Sequence, residues 1–323
     1  MSIQKQVAAW LGFDTSKCSW PPPRLSIGLQ GGGSFGAFAW GVLDRLLDEE
    51  RLAFDALSGA SAGAVNAVLF ASGLLEGGRE EGKARLERFW RRMSASAVLG
   101  PRGAFTMTPL GAAMRMLSPY QFNPFNLNPL RDALVEEVDF ARLRAEAPVK
   151  LLIAATRVSD GRQRIFRENE LTAEMVLAST CLPLLHHSVS IDGEDYWDGG
   201  YVANPPLFPL VLASETEHIL AVLVTPNSIE GTPLNRRNII KRLEQIQFNA
   251  TVNAEFAALQ LGAILRMSPI FERLRLTSIS AANEIDGLAR ESAGDLAWDF
   301  LDRLRQSGRD AANVWLARQP GSI

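Results

Sequence analysis

The sequence predicts an α/β fold, a three-layer α/β/α sandwich in which helices cover both faces of a central, mostly parallel sheet. Three observations predict it. Short apolar runs typical of buried strands alternate over residues 25–225 with stretches that carry apolar residues at helical spacing. Glycine-rich turns join the first two strands to the helices that follow them. No run of about 18 uncharged apolar residues interrupts this alternation, so no membrane span is expected.

The first strand–helix unit lies at residues 24–50. RLSIGLQ at 24–30 is expected to form a short buried strand, and residues 36–50 place Phe38, Val42 and Leu46 on one side of a helix. Three consecutive glycines open the loop between the two elements. Glycine allows another group to approach the backbone closely, so this loop is expected to present N–H groups to an electron-rich partner.

The second unit repeats the order of strand, turn and helix. AFDALS at 53–58 is expected to be a strand, and it leads directly into GASAG at 59–63. The helix that follows is expected to end near Gly77 and Gly78, with a charged surface helix over 79–93.

The rest of the chain is expected to complete the sheet and then to turn helical. The expected elements are an irregular apolar flap at 100–130, a central strand at 149–158, a helix at 171–179, a hairpin turning near 191–195, a loop at 197–206, a strand at 218–226 and two long helical segments beyond 235. We therefore expect an N-terminal segment (1–24), one domain with the flap (25–225) and a helical extension packed on that domain (226–323).

Composition argues against several classes of protein. The 33 basic and 36 acidic residues give a net charge of -3, which does not suit a nucleic-acid-binding protein. The two cysteines, Cys18 and Cys181, lack metal-ligand spacing and are expected to be reduced thiols. The N-terminus lacks a secretion-signal pattern, so a cytoplasmic protein is expected. No metal or cofactor is expected either.

GASAG fits the pattern G-x-S-x-G, in which a strained turn between strand and helix lifts a serine out of the sheet. Its position after an expected strand and before an expected helix suits that function. Ser61 is therefore the candidate nucleophile, and Gly59 and Gly63 are the small neighbours that a tight turn requires.

The glycine loop allows two interpretations. Gly31, Gly33 and Gly36 satisfy G-x-G-x-x-G, the pattern of a dinucleotide site, but such a site needs an acidic residue at the far end of the second strand. Asp55 lies near the start of that strand, and the far end carries Ser61. The alternative is an oxyanion site, in which loop amides stabilise the charge that develops when a serine attacks an ester.

The base that would activate Ser61 is less evident from the sequence. A triad in the chain order serine, acid, histidine would have to use His218, which leads into an expected strand. His186 and His187 precede Asp198, although chain order does not decide proximity in space. Asp198 lies in the turn-like sequence DGG, so it is a candidate base or an ordinary turn residue.

Taken together, GGGSFG, GASAG and DGG resemble the patatin-like phospholipase family over roughly residues 25–225. The resemblance implies a Ser–Asp dyad with Ser61 as nucleophile and Asp198 as base, and no catalytic histidine. One departure is Phe35, where the family usually carries Lys or Arg, and this leaves neutral esters open as substrates. The resemblance further implies an oxyanion hole at Gly31, Gly32, Gly33 and Gly36, supported by Gly59, Gly63, Gly199 and Gly200.

The expected function is hydrolysis of an acyl ester, a phospholipase A or lysophospholipase type of reaction, through an acyl-enzyme. Two alternatives remain at this point: acyl transfer on the same dyad, and a catalytically silent lipid-binding protein of the same fold. The expected partner is a lipid or another acyl ester, with transient contact to a membrane surface. The segment AFTMTPLGAAMRML, with Met107, Leu110, Met114 and Met116, and the basic segment starting at Asn235 are the candidates for that contact.

Overall fold

The computed structural model describes residues 20–99, 117–229, 231–265, 267–281 and 293–317. Within them, eight strands form one sheet. In chain order they are β1 (Arg24–Leu29), β2 (Ala53–Gly59), β3 (Lys150–Arg157), β4 (Gln163–Arg167), β5 (Val189–Ile191), β6 (Glu194–Asp198), β7 (His218–Leu223) and β8 (Arg275–Ser280).

The sheet has the strand order β5-β6-β3-β2-β1-β7-β8, and β4 pairs with β3 outside this path. The five strands from β3 to β8 along the path are parallel, whereas β4, β5 and β6 are joined by antiparallel pairs. Leu29 pairs with Gly59, so β1 and β2 end at the same level. The glycine loop after β1 and the GASAG turn after β2 therefore lie side by side.

Helices connect these strands. They are α1 (Gly36–Leu47), α2 (Ala62–Leu99), α3 (Pro119–Phe122), α4 (Pro129–Glu137), α5 (Phe140–Glu146), α6 (Ala173–Ser179), α7 (Leu207–Ala213), α8 (Arg236–Ile264), α9 (Pro269–Arg273) and α10 (Trp298–Leu316). Inside α2, Gly77 (φ -150°, ψ 20°) and Gly78 (φ 69°, ψ -151°) are not helical. This is the break that the sequence predicts.

Two hydrophobic clusters on opposite faces of the sheet confirm the three-layer fold. Leu220 and Val222 of β7 belong to the larger cluster, which includes side chains of α1, α2 and α10. Ile219 and Ala221 of the same strand belong to the smaller cluster, with side chains of α7 and α8. Successive strand residues point to opposite faces, so helices cover both sides of the sheet.

The C-terminal helix α10 packs closely against α1. A Cβ atom on Gly41 would clash with the carbonyl oxygen of Arg305, so only a bare backbone allows this approach. The buried carboxylate of Asp44 accepts hydrogen bonds from Arg305 (2.9 Å) and Arg309 (2.7 Å). A charge pair this well shielded from solvent would be costly to break from one side, so it fixes α10 on α1.

One strand was not expected. The sequence analysis predicted only helices beyond residue 226, but β8 lies there and pairs in parallel with β7. Its sequence, RLTSIS, has only two apolar residues, Leu276 and Ile279, which are three positions apart and do not alternate with polar ones, and Ile279 is its one buried apolar side chain. So short a run is weak evidence for a strand, and it depends on β7 for its hydrogen bonds.

The flap expected at 100–130 is described only from residue 117 onwards. Met107, Leu110, Met114 and Met116 lie outside the described residues. Among the residues that the structure describes, no helix is both long and apolar enough to cross a membrane.

Candidate active site

The turn between β2 and α2 holds Ser61 in a conformation that L-amino acids seldom adopt. Its φ is 54°, and its side chain is almost completely buried, with the residue 8% exposed. The Ser61 N–H donates to the carbonyl oxygen of Ser179 at 3.1 Å, which holds the turn against the end of α6. A Cβ atom on Gly63 would clash with the carbonyl oxygen of Leu29, and one on Gly59 would lie 2.5 Å from the Gly63 carbonyl carbon. The small neighbours of Ser61 are therefore sterically required.

Asp198 is the last residue of β6 and has no exposed surface. Its N–H donates to the carbonyl oxygen of Cys181 (2.8 Å), and its own carbonyl accepts from the Thr156 hydroxyl (2.7 Å). The carboxylate oxygen Oδ1 accepts the Gly200 N–H at 2.7 Å. Gly199 packs on β3, where a Cβ atom would clash with the Ala154 carbonyl. The backbone around Asp198 is thus fixed on both sides.

The carboxylate of Asp198 lies close to the Ser61 hydroxyl. Within the described part of the chain, Oδ2 is buried and accepts no hydrogen bond of full geometry. The Ser61 hydroxyl is nevertheless close enough to stabilise the carboxylate, so the contact is longer or less well aligned than an ideal hydrogen bond. Catalytic hydrogen bonds are often loose before substrate binds and tighten afterwards.

Burial raises the pKa of Asp198 to about 7, although the Ser61 hydroxyl and the Gly200 N–H both act to lower it. An isolated aspartate at the surface is too weak a base to take a proton from serine near neutral pH. A carboxylate with a pKa near the working pH combines a useful proton affinity with a large ionised fraction.

Two N–H groups of the glycine loop are candidates for binding an oxyanion. The Gly31 N–H donates to Asn204 Oδ1 (2.7 Å), and the Gly36 N–H donates to the carbonyl oxygens of Gly33 and Ser34. The N–H groups of Gly32 and Gly33 make no hydrogen bond to other described residues. Of the four glycines that the resemblance assigns to the oxyanion hole, these two are therefore the candidate donors.

Gly31 and Gly36 have a steric function instead. A Cβ atom on Gly31 would lie 2.6 Å from Ser61 Cβ, and one on Gly36 would lie 2.7 Å from Ala62 Cβ. Both glycines let the loop approach the nucleophile turn. At Gly33, φ is 59°, and its neighbour Ser34 donates its N–H to the Ala293 carbonyl at 2.8 Å.

The sequence analysis missed two buried amide side chains that hold this loop. Asn204 accepts the Gly31 N–H and donates to the Gly31 carbonyl (3.3 Å), joining the loop after Asp198 to the glycine loop. Gln30 accepts the N–H groups of Val224 and Thr225, each at 2.8 Å. Both residues are fully buried. In the sequence, the only sign of either residue is that it is a polar residue next to apolar ones.

Replacing Asn204 by Leu is expected to lower kcat by about 10- to 100-fold with a smaller change in KM. Loss of one oxyanion donor typically costs 10²–10³-fold, and Asn204 acts one step further away, by positioning the loop. Steady-state kinetics on a soluble ester tests this, with Asn253→Leu on the exposed side of α8 as the matched control. An unchanged kcat in a folded Asn204→Leu protein would show that the loop keeps its position without this pair of bonds.

Two of the three histidines lie in other contacts. His187 Nε2 is 3.1 Å from the Pro119 carbonyl oxygen, and its ring lies 4.2 Å from that of Tyr120. His218 is the first residue of β7, so it lies at the opposite end of the parallel strands from the loops that carry Ser61 and Gly32. In the described part of the chain, neither His187 nor His218 makes a hydrogen bond with Ser61.

His186 and His187 line a cavity of about 370 Å³ together with Cys181. Ser61 and Asp198 are not among the lining residues. Burial and then the negative charge of Asp198 raise the pKa of Cys181 to about 12. The thiol therefore stays protonated and offers no second nucleophile beside the site.

Among the described residues, no group of three or more His, Cys, Asp or Glu could hold a metal ion.

Phe35 occupies the position where the resemblance leads one to look for a cation. Its side chain is buried, 7% exposed, and it packs edge-on against Phe300 of α10 with ring centroids 6.1 Å apart. A lysine here would place its charge among apolar side chains. The Phe35 side chain therefore packs the glycine loop against the C-terminal helix.

Two solved structures and one family model match this chain. Two solved structures resemble this chain over 92% of its length: VipD from Legionella pneumophila (16% identity, TM-score 0.48, 67% of VipD covered) and the type III effector protein ExoU (15% identity, TM-score 0.39, 53% of ExoU covered). No protein of curated function matches the chain. The family model described as patatin-like phospholipase matches residues 28–211, more than half of the 323 residues. This chain therefore belongs to the patatin-like phospholipase family.

Proposed function

We propose that this protein hydrolyses acyl esters of lipids, in a phospholipase A or lysophospholipase type of reaction, through a Ser61–Asp198 dyad. Membership of the patatin-like phospholipase family supports lipid hydrolase activity. The observation that carries the finer assignment is the buried carboxylate of Asp198, which faces the Ser61 hydroxyl and has a pKa raised to about 7.

In the first half of the reaction, Ser61 Oγ attacks the ester carbonyl carbon while Asp198 accepts the hydroxyl proton. The carbonyl oxygen becomes an oxyanion, which the N–H groups of Gly32 and Gly33 stabilise. Ser61 directly precedes α2, so the positive end of that helix adds to this stabilisation. The bond to the leaving alcohol then breaks, and Asp198 returns its proton to the alcohol oxygen.

In the second half, water attacks the acyl-enzyme formed on Ser61. Asp198, ionised again, accepts a proton from the water, and the same two amides hold the second oxyanion. Collapse of this intermediate breaks the bond to Ser61 Oγ, which recovers its proton from Asp198. The products of this half are a carboxylic acid and the free enzyme, and water is the only second reactant consumed.

Labelling with a fluorophosphonate tests the nucleophile. We expect stoichiometric modification of Ser61, located by peptide mass spectrometry, and none in a folded Ser61→Ala protein. Ser190→Ala, on exposed strand β5, is the matched control and should label normally. An unlabelled Ser61 would mean a catalytically silent protein.

The reaction class is tested with phospholipid, lysophospholipid, monoacylglycerol and p-nitrophenyl esters. Release of free fatty acid from a lipid, lost in Ser61→Ala, is the expected result. If the acyl group instead passes mainly to an added alcohol and not to water, the protein is an acyltransferase.

A further inference from the structure

The N-terminal part of α8 is more exposed than the rest of the helix. Residues 236–247 make up about 18 Å of helix before Phe248. None of the side chains described in this stretch is buried, whereas Asn249, Val252 and Leu259 further along the helix are. The second half of α8 therefore packs more deeply on the protein than the first half, whose described side chains are exposed or half-buried.

This N-terminal part of α8 has an exposed aliphatic face. Ile239 (42% exposed), Leu243 (60%) and Ile246 (50%) follow each other at helical spacing, with Ile240 (39%) beside them. Just before the helix, Leu234 is 90% exposed. We call these five side chains the α8 face. Single exposed aliphatic residues are common, but five together on one helix end are typical of a docking surface.

The charge of the same stretch favours an anionic partner. Between residues 235 and 248 the sequence has four basic residues and one acidic residue, Glu244. Arg242 donates to the carbonyl oxygens of Pro226 and Asn227, so it also holds the helix in place. Basic residues interspersed with exposed aliphatic ones are typical of helices that lie on anionic lipid surfaces.

The α8 face lies next to the candidate active site. The ring of Phe248 is 5.6 Å from that of Tyr201, and a Cβ atom on Gly200 would clash with it, so α8 packs on the Asp198 loop just beyond Ile246. A second exposed aliphatic pair, Leu184 (81% exposed) and Leu185 (41%), follows Cys181 closely in the chain. The Cys181 carbonyl oxygen accepts the Asp198 N–H. Two exposed aliphatic segments are therefore connected to the Asp198 loop.

We propose that the α8 face docks on an anionic lipid surface, with Leu184 and Leu185 as a second contact. The inference rests on the proposed function, because an enzyme that hydrolyses membrane lipids must bring its site to the bilayer. The aliphatic side chains enter the boundary between headgroups and acyl chains, and the exposed Arg236 pairs with lipid phosphates. The loop that carries Asp198 then faces the membrane.

Vesicle flotation of the Ser61→Ala protein measures docking without turnover. We expect binding to vesicles of phosphatidylcholine with phosphatidylglycerol, weaker binding to phosphatidylcholine alone, and loss of binding at high salt. Adding Leu243→Ser and Ile246→Ser should weaken the binding to anionic vesicles at least ~10-fold. The matched control is Leu261→Ser with Ile264→Ser, two exposed residues (53% and 52%) at the other end of the same helix, which should bind as the parent does.

Equal binding by the α8 variant and its parent would overturn the proposal. If the variant changes the molar mass in light scattering but not the vesicle binding, the face contacts a second copy of the chain, which also overturns it. Ile239→Ser alone replaces the double variant if that fails to fold. The proposed function is judged separately, by hydrolysis of a soluble p-nitrophenyl ester by the unmodified protein.

Discussion

Replacing Asp198 by Asn is expected to lower kcat by at least ~10²-fold in a protein that still folds, because this is the lower end of a general-base contribution. Asparagine has nearly the same shape, and its carbonyl oxygen can still accept the Gly200 N–H. Its amide cannot accept a proton from Ser61. The measurement is kcat on a soluble ester, with folding checked by thermal melts.

This variant alone does not separate a dyad from a triad, so the histidines provide the control. His186→Ala, His187→Ala and His218→Ala, made singly, should each keep kcat within about tenfold, which corresponds to ~1.4 kcal/mol of barrier. A folded histidine variant as inactive as Ser61→Ala would identify that histidine as the base and would rule out the dyad.

The same Asp198→Asn replacement is expected to stabilise the protein at alkaline pH by on the order of a few kcal/mol. Folding raises the pKa of Asp198 from 3.8 to about 7, because the buried carboxylate loses its hydration. The folded state therefore holds its proton more tightly than the unfolded chain. Stability from this group is fully present below about pH 4 and is lost as the pH rises through 7. Asparagine does not ionise and avoids this loss.

Urea unfolding of both proteins at about pH 4 and about pH 8 tests this result. The stabilisation by Asn should be larger at the higher pH. Asp192→Asn, the same exchange in the exposed turn between β5 and β6, is the control and should show no such increase. A difference between Asp198→Asn and the parent that does not grow with pH would mean that Asp198 is better hydrated than its burial indicates.

Together, these two results would show that ionised Asp198 lowers the stability of the folded protein and also serves as its catalytic base. Fixed, poorly hydrated groups are common at active sites, where rigid surroundings hold them in place. Here the hydrogen bonds from Asp198 to Cys181, from Thr156 to the Asp198 carbonyl and from Gly200 to Oδ1 are those surroundings.

The sequence was sufficient for the elements that depend on local order. The apolar runs of β1 and β2, the glycines between strand and helix and the helix break at Gly77 and Gly78 follow from nearest neighbours in the chain. The approach of Ser61 to Asp198 followed only from the resemblance, because no local pattern relates residues 137 positions apart. Their chemical roles stay predictions until the variants are measured.

Other parts of the site could not be predicted, because each depends on contacts between distant segments. Asn204 and Gly31 are 173 residues apart, and Gln30 reaches Val224 across 194 residues. The Ala293 carbonyl that accepts the Ser34 N–H lies still further along the chain. A single sequence gives the residue types but not these partners, and β8 was missed for the same reason.

The strand order has a practical consequence for anyone preparing fragments of this protein. The family match ends at residue 211, but β1, which leads into the glycine loop, pairs with β7 at residues 218–223. A polypeptide cut at the end of the match would turn β1 from an interior strand into an open edge, whose unpaired N–H and C=O groups invite association with other chains. It would also expose the surface of α1 that α10 covers. The limits of the family match are therefore not those of the folded unit, and a fragment should retain α10, which ends at Leu316.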